Sequence, residues 1–171
     1  MTNYIEVASS PVGQLLAQLR ARTGDMEPFL RALGEDMAER IKGRFGSGTA
    51  PDGTPWQANS PATLAKYIQS RGGKKQGKKR QDAPAPAKKP LIAHGDMSRG
   101  IHYQADQTSV LVASPAPQAF MMHFGGSKAE FPHLWGDIPA RPFFPIRSDG
   151  SLYPAEEQEI VDALTYYLTV E

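Results

Sequence analysis

The eight residues Ile138–Pro145, I-P-A-R-P-F-F-P, limit what this chain can fold into more than any other stretch. Pro139, Pro142 and Pro145 each lack a backbone N–H, and each pushes the residue before it towards extended geometry. Ile138, Arg141 and Phe144 are thereby biased to β or polyproline II conformations. The stretch cannot be a helix, and its missing ladder donors make it a poor central strand. It reads as a stiff arm or edge strand carrying Phe143, Phe144 and one cation, Arg141. Two uses are open to it: a rigid loop closing over the protein's own core, or a pre-ordered docking segment for a neighbouring subunit.

The remaining sequence supplies the context. The 171 residues suit one domain with its own core. Fifteen prolines and 16 glycines make about a fifth of the chain, so long ordered loops or arms are expected. There is no cysteine, which excludes disulfides, thiol catalysis and cysteine-based zinc sites. The start, M-T-N-Y-I-E, has neither a charged n-region nor an apolar h-region, and no apolar run approaches about 18 residues. A protein made and kept on the cytosolic side of any membrane, without a membrane partner, is expected. The net charge of +1 hides an asymmetry: residues 71–90 hold eight basic residues and one acid, and the remaining chain has 11 basic and 17 acidic residues, a balance of −6. The pattern is a mildly acidic body with a basic loop grafted into it.

Read in order, the chain opens with a helical part over 11–70. Val12, Leu15, Leu16 and Leu19 give one apolar stripe over 11–22, with Ser10 as N-cap and Gly24 as stop. A longer helix runs from Met26 to Arg44, with Asp25 as N-cap and the stripe Leu30, Leu33, Met37, Ile41, extended to Phe45. Gly34 weakens its middle by about 1 kcal/mol relative to Ala, and Gly43, Gly46 and Gly48 end it. Pro51-Asp52-Gly53 is a turn, and Trp56 after it is expected to be buried with its indole N–H in need of a partner. Ser60-Pro61 opens a helix to Ser70 with Leu64, Tyr67 and Ile68 on its apolar side.

Residues 71–90 have no apolar periodicity and read as a flexible basic loop, because they cannot bury enough surface to offset ordering entropy. The sheet-containing part, 91–153, begins where Leu91-Ile92 re-enter the core. Asp96 caps a short helix. Strands over 101–105 and 109–113, the second a buried-type run, are joined by Asp106-Gln107-Thr108. Gln118–Phe124 is a short helix, 127–137 a loop, and Asp149-Gly150 the turn of a small hairpin. A closing helix fills 154–171, with Ile160, Val161, Leu164, Tyr167 and Leu168 as its stripe. The fold class is α+β: N-terminal helices, a small antiparallel sheet and a C-terminal helix.

No enzymatic constellation emerges. His94, His102, His123 and His133 form no H-E-x-x-H or paired ligand motif, and Gly72-Gly73-Lys74-Lys75 lacks the strand and spacing of a phosphate loop. Asp52, Asp96, Asp137 and Asp149 stand in turns, where aspartate has a local structural task. No catalytic residue, metal or cofactor is expected. The cations Arg71, Lys74, Lys75, Lys78, Lys79, Arg80, Lys88 and Lys89 are the candidates for contact with DNA phosphates or an acidic surface. No aromatic residue is interleaved among them to stack on bases.

Four blocks in sequence order resemble the phage virion morphogenesis, or tail-completion, family of Mu-like phages and prophages. Arg44-Phe45, Asp52-Gly53 with Trp56, and Ser60-Pro61 with Thr63-Leu64 form the first. Lys89-Pro90-Leu91 with Gly95-Asp96-Met97 and Gly100-Ile101 form the second, in which His94 stands where the family usually has Thr. His123-Phe124-Gly125-Gly126 is the third, a contiguous His-Phe pair in place of the commoner spaced form, and Ile138–Phe144 the fourth. The resemblance implies a structural protein of the phage neck or tail end, assembled in the host bacterial cytoplasm. It implies a homo-oligomeric ring, expected to be hexameric, between the head connector and the tail tube or terminator. Such a ring is head-to-tail, so each subunit needs two different faces. On that implication the arm is expected to meet a neighbour through Ile138, Phe143 or Phe144, with Trp56 nearby. Arg141 is expected to pair with a carboxylate at the seam or within its own subunit. Accessory DNA binding through 71–90 is the alternative reading.

Overall fold

The computed structural model describes residues 23–70, 88–134 and 136–169. The helix expected over 11–22 and the loop residues 71–87 lie outside them.

Helix α1, Glu27–Ser47, is the element against which both strands and two of the later helices pack. Asp25 accepts the Glu27 N–H at 3.1 Å at its start. Gly43 and Gly46 do not end the helix as expected. The chain stays helical to Ser47, and Gly48 at φ 74° donates its N–H back to the Arg44 carbonyl. This left-handed cap is the conformation that favours glycine. One face of α1 (Leu33, Gly34, Ala38, Ile41, Arg44 and Phe45) is buried.

The loop after α1 returns the chain to that face. Thr49 and Pro55 form an isolated antiparallel bridge around the Pro51-Asp52-Gly53 turn, and Trp56 is buried with its ring edge-on to Phe45, centroids 5.7 Å apart. Helix α2, Pro61–Ser70, starts where Ser60 Oγ accepts the Thr63 N–H, but Ile68 on its expected apolar side is exposed. Helix α3, Asp96–Arg99, is capped by Gly95 in the left-handed region, whereas Asp96 pairs with Arg99.

Strands β1, His102–Ala105, and β2, Val110–Ala113, form a two-stranded antiparallel sheet in which Tyr103 faces Val112 and Gln104 faces Leu111. Asp106 closes the hairpin by accepting from the backbone and hydroxyl of both Thr108 and Ser109, which holds its carboxyl down at about 2. One face of the hairpin, with Tyr103 and Val112, packs on α1. The other is open, and Leu111 is 59% exposed, so β2 is not the fully buried run expected. A two-stranded sheet lying on one helix can bury only one face of its pleat.

Helix α4, Ala119–Phe124, precedes the arm, and Ile146 pairs with Leu152 across the Asp149-Gly150 turn as expected. Helix α5, Pro154–Thr169, closes the fold against α1, where Phe29 and Tyr167 stack with centroids 5.0 Å apart. Its sole buried residue among those described is Glu156, and Val161 from the expected stripe is exposed. The whole is α+β, with the core at Ile41, Phe45, Trp56, Met97, Ile101 and Phe143.

Gly34 has a packing role beyond its weak helix propensity. A Cβ there would stand 2.7 Å from both Tyr103 Cδ2 and Val110 Cγ2, so the missing side chain is what lets the hairpin lie on α1. Gly34→Ala gains about 1 kcal/mol of helix propensity and meets an overpacking cost of about 1–3 kcal/mol. The expected net effect is a lower melting temperature; a rise would show that propensity outweighs the contact.

Candidate functional site

The arm runs into the core of the subunit and is fixed by hydrogen bonds along its length. Its first anchor is a close approach. Gly125, at φ 76°, and Gly126 pass so near to 138–140 that a Cβ on Gly125 would stand 2.7 Å from Ala140 N. Gly126 and Ile138 then exchange both backbone hydrogen bonds, at 2.9 and 2.8 Å. The Arg141 N–H donates to the Met122 carbonyl at 3.0 Å, so the arm continues along α4.

The second anchor is His123, 2% exposed on α4. Its Nδ1 accepts from the N–H groups of Phe143 and Phe144, at 3.0 and 3.2 Å. Its Nε2 lies 3.0 Å from the Ile146 carbonyl, an acceptor, and so must be the protonated nitrogen. One neutral imidazole thus satisfies two donors and one acceptor of an extended segment that has no strand partner. Burial pushes the ring below its ordinary pKa of 6.5; the Ile146 contact opposes this, and the nearby Arg44 charge adds to it.

The third anchor comes from α1 and α5. Arg44, buried, donates through Nη1 to the Phe143 carbonyl at 2.8 Å and through Nη2 to Glu156. Burial lowers the Arg44 pKa and the Glu156 charge opposes it. Arg40 lies within ion-pair range of Asp36 (3.0 Å), Glu156 (3.2 Å) and Glu159, but its Nε and Nη1 make no directed hydrogen bond, so it contributes charge alone. Between these anchors the Phe143 ring has no exposed surface, with Phe45 at 5.0 Å and His123 at 5.2 Å between centroids. Trp56 Nε1 donates to the Pro142 carbonyl at 2.9 Å, the partner its burial requires.

The expected interface residues therefore divide. Trp56, Arg141 and Phe143 are buried within their own subunit, so at these positions the arm covers its own core, with Arg141 at the edge of a cleft. Ile138 and Phe144 are half-buried and keep accessible surface. Arg141 has no carboxylate within its subunit: Nε and Nη2 donate to the carbonyls of Gln57 and Ala58, at 3.0 and 3.2 Å, and Nη1 has no partner among the described residues. It lines a cleft of about 400 Å³, whose apolar walls come from Leu91, Ile92, Met122, Ile138 and Pro139. Of the expected basic set, Arg71, Lys74, Lys75, Lys78, Lys79 and Arg80 lie outside the described residues. Lys89 donates to the Gly46 carbonyl at 2.6 Å, and Lys88 stands 5.0 Å over the Tyr67 ring, so both have tasks inside the subunit.

Three residues central to this arrangement are not singled out by sequence: His123, Arg44 and Glu156. His123 and Arg44 belong to the quoted blocks, but Glu156 reads like any acid in a first helical turn. Both nitrogens of His123 are committed, and no group of three or more His, Asp or Glu residues that could hold a metal occurs among the described residues. The arrangement is a structural clamp.

The clamp joins scattered sequence blocks into one subunit core. The chain belongs to the phage virion morphogenesis family, whose profile matches residues 7–169. No curated protein and no solved structure matches it.

The His123 clamp has a pH signature. Its folded pKa lies below the unfolded value, so its contribution to stability is complete above about 6.5 and is lost as pH falls and the unfolded state takes up the proton. Urea unfolding is expected to show a lower midpoint at about pH 5.5 than at about pH 7.5, and His123→Asn is expected to shrink that difference. An undiminished difference in the variant would assign the effect to other groups.

Proposed function

We propose that this chain is a structural protein of the phage neck or tail end. In this reading copies assemble head to tail into a ring, expected to hold six subunits, which completes the tail and supports head–tail joining around the DNA channel. The observation that carries the reading is the family match over nearly the whole chain, residues 7–169. The family makes it a virion assembly protein; no helix among the described residues is long and apolar enough to cross a membrane. A head-connector protein and a tail tube or terminator protein are the proposed neighbours above and below.

Non-specific contact with genomic DNA through the basic loop is the secondary reading. It rests on the cations between Arg71 and Arg80, since Lys88 and Lys89 are engaged by Tyr67 and Gly46.

Electron microscopy of purified particles, with the chain labelled, is expected to place a ring at the tail end that adjoins the head. In solution the chain can be monomeric and join the ring only on the tail. A chain that is monomeric and also absent from virions would overturn the proposal.

A further inference from the structure

Arg141 is a cation left without its counter-charge. It is 7% exposed, it hydrogen-bonds only to neutral carbonyls, and no acid stands within ion-pair range of it among the described residues. Taking a guanidinium out of water without a paired anion is costly. The uncommitted Nη1 belongs to a side chain on the wall of the 400 Å³ cleft, whose lining joins apolar Leu91, Ile92, Met122, Ile138 and Pro139 to polar groups that include Lys88 and Asp137, the latter bonded to the Lys128 N–H. A ligand suited to this cleft brings a carboxylate flanked by apolar groups.

The same chain presents such a group elsewhere. On α5, Gln158, Val161, Asp162, Thr165 and Tyr166 are all exposed, and at helical spacing they fall on one face. Val161 is 48% and Tyr166 70% exposed. Asp162 accepts only from the neutral Gln158 amide, at 2.8 Å, and pairs with no cation among the described residues. The face is a carboxylate between two uncovered apolar side chains.

We infer that the outer face of α5 in one copy docks against the Arg141 cleft of the next, with Asp162 meeting Arg141 and Val161 and Tyr166 covering the apolar rim at Ile138 and Pro139. The two surfaces are different, so the contact is heterologous: each copy offers a cleft to one neighbour and a helix face to the other. Repeated contacts of that kind close into a ring when the rotation allows. The inference rests on the ring reading and adds to it the seam and the pairing charge. It places Ile138 and Arg141 at the seam, with Phe143 and Trp56 in the core behind them.

The absence of cysteine makes the contact testable by directed disulfide formation. Gln118 lines the cleft and is exposed, and it caps α4 without a side-chain bond, so Gln118→Cys and Val161→Cys both change exposed positions. Each single variant alone is expected to give no cross-link. A mixture of the two, oxidised after assembly on particles, is expected to give a disulfide-linked pair. Asp162→Lys is expected to abolish assembly with no change in melting temperature, and Asp162→Glu to retain it. Assembled particles that lack the mixed disulfide, an Asp162→Lys chain that assembles like the parent, or a cleft cysteine captured by a different virion protein would each overturn this contact and leave the ring reading standing. A chain absent from every ring and particle would overturn the ring reading, and the contact with it.

Discussion

Phe143 is held in three ways at once, and the rest of the subunit is arranged around that fact. Its ring fills the core against Phe45, its N–H is accepted by His123 and its carbonyl is bonded by Arg44. Burying a phenylalanine fully is worth about 1.5–3 kcal/mol, but an extended segment cannot enter a core unless its backbone polar groups find partners there. The prolines on either side remove donors that would otherwise need satisfying, and His123 with Arg44 supplies partners for those that remain. α1 and α4 thereby hold one strand-like segment that belongs to no sheet, and α5 is tied to it through Arg44.

The Arg44–Glu156 pair extends this arrangement to the last helix. A buried ion pair is weak evidence for stability in itself, since desolvation offsets much of the attraction. Its effect here is geometric. Arg44 must keep one nitrogen on Phe143 and the other on Glu156, so the register of α5 against α1 is tied to the position of the arm. The charge lies near the start of α5, where a glutamate also suits the helix dipole. The more distant part of α5 is left with an uncovered face.

Much of the fold is legible in the sequence. The helical periods of α1 and α5, the Asp106 hairpin and the Asp149-Gly150 turn follow from local chemistry alone. Trp56 announces its burial and its need for an acceptor. What is not legible depends on long separations: Glu156 meets Arg44 across 112 residues, and His123 reaches the arm 20 residues further on. A histidine that serves as a double backbone acceptor has no local signature, so it stands out only when motifs are searched for metals or catalysis, and there it matches nothing. Leu111 misleads for another reason: Val110-Leu111-Val112 reads as buried on both sides, yet the sheet packs chiefly against α1 and Leu111 stays 59% exposed. The arm itself shows the same limit. Apolar content and stiffness fit a lid over the chain's own core as well as a strap over a neighbour's, and the place of Phe143 in its own core becomes visible only with Phe45, His123 and Arg44 around it.

The clamp separates the interior of the subunit from the surfaces left for assembly, so the arm opens only when the subunit unfolds. Native-state hydrogen exchange of the Phe143 and Phe144 amides measures this directly. The predicted result is exchange as slow as that of the most protected amides of α1, with the same dependence on denaturant, because releasing His123 from the arm empties the core. Fast exchange at these two amides while α1 stays protected would contradict it, and would make the arm a detachable strap.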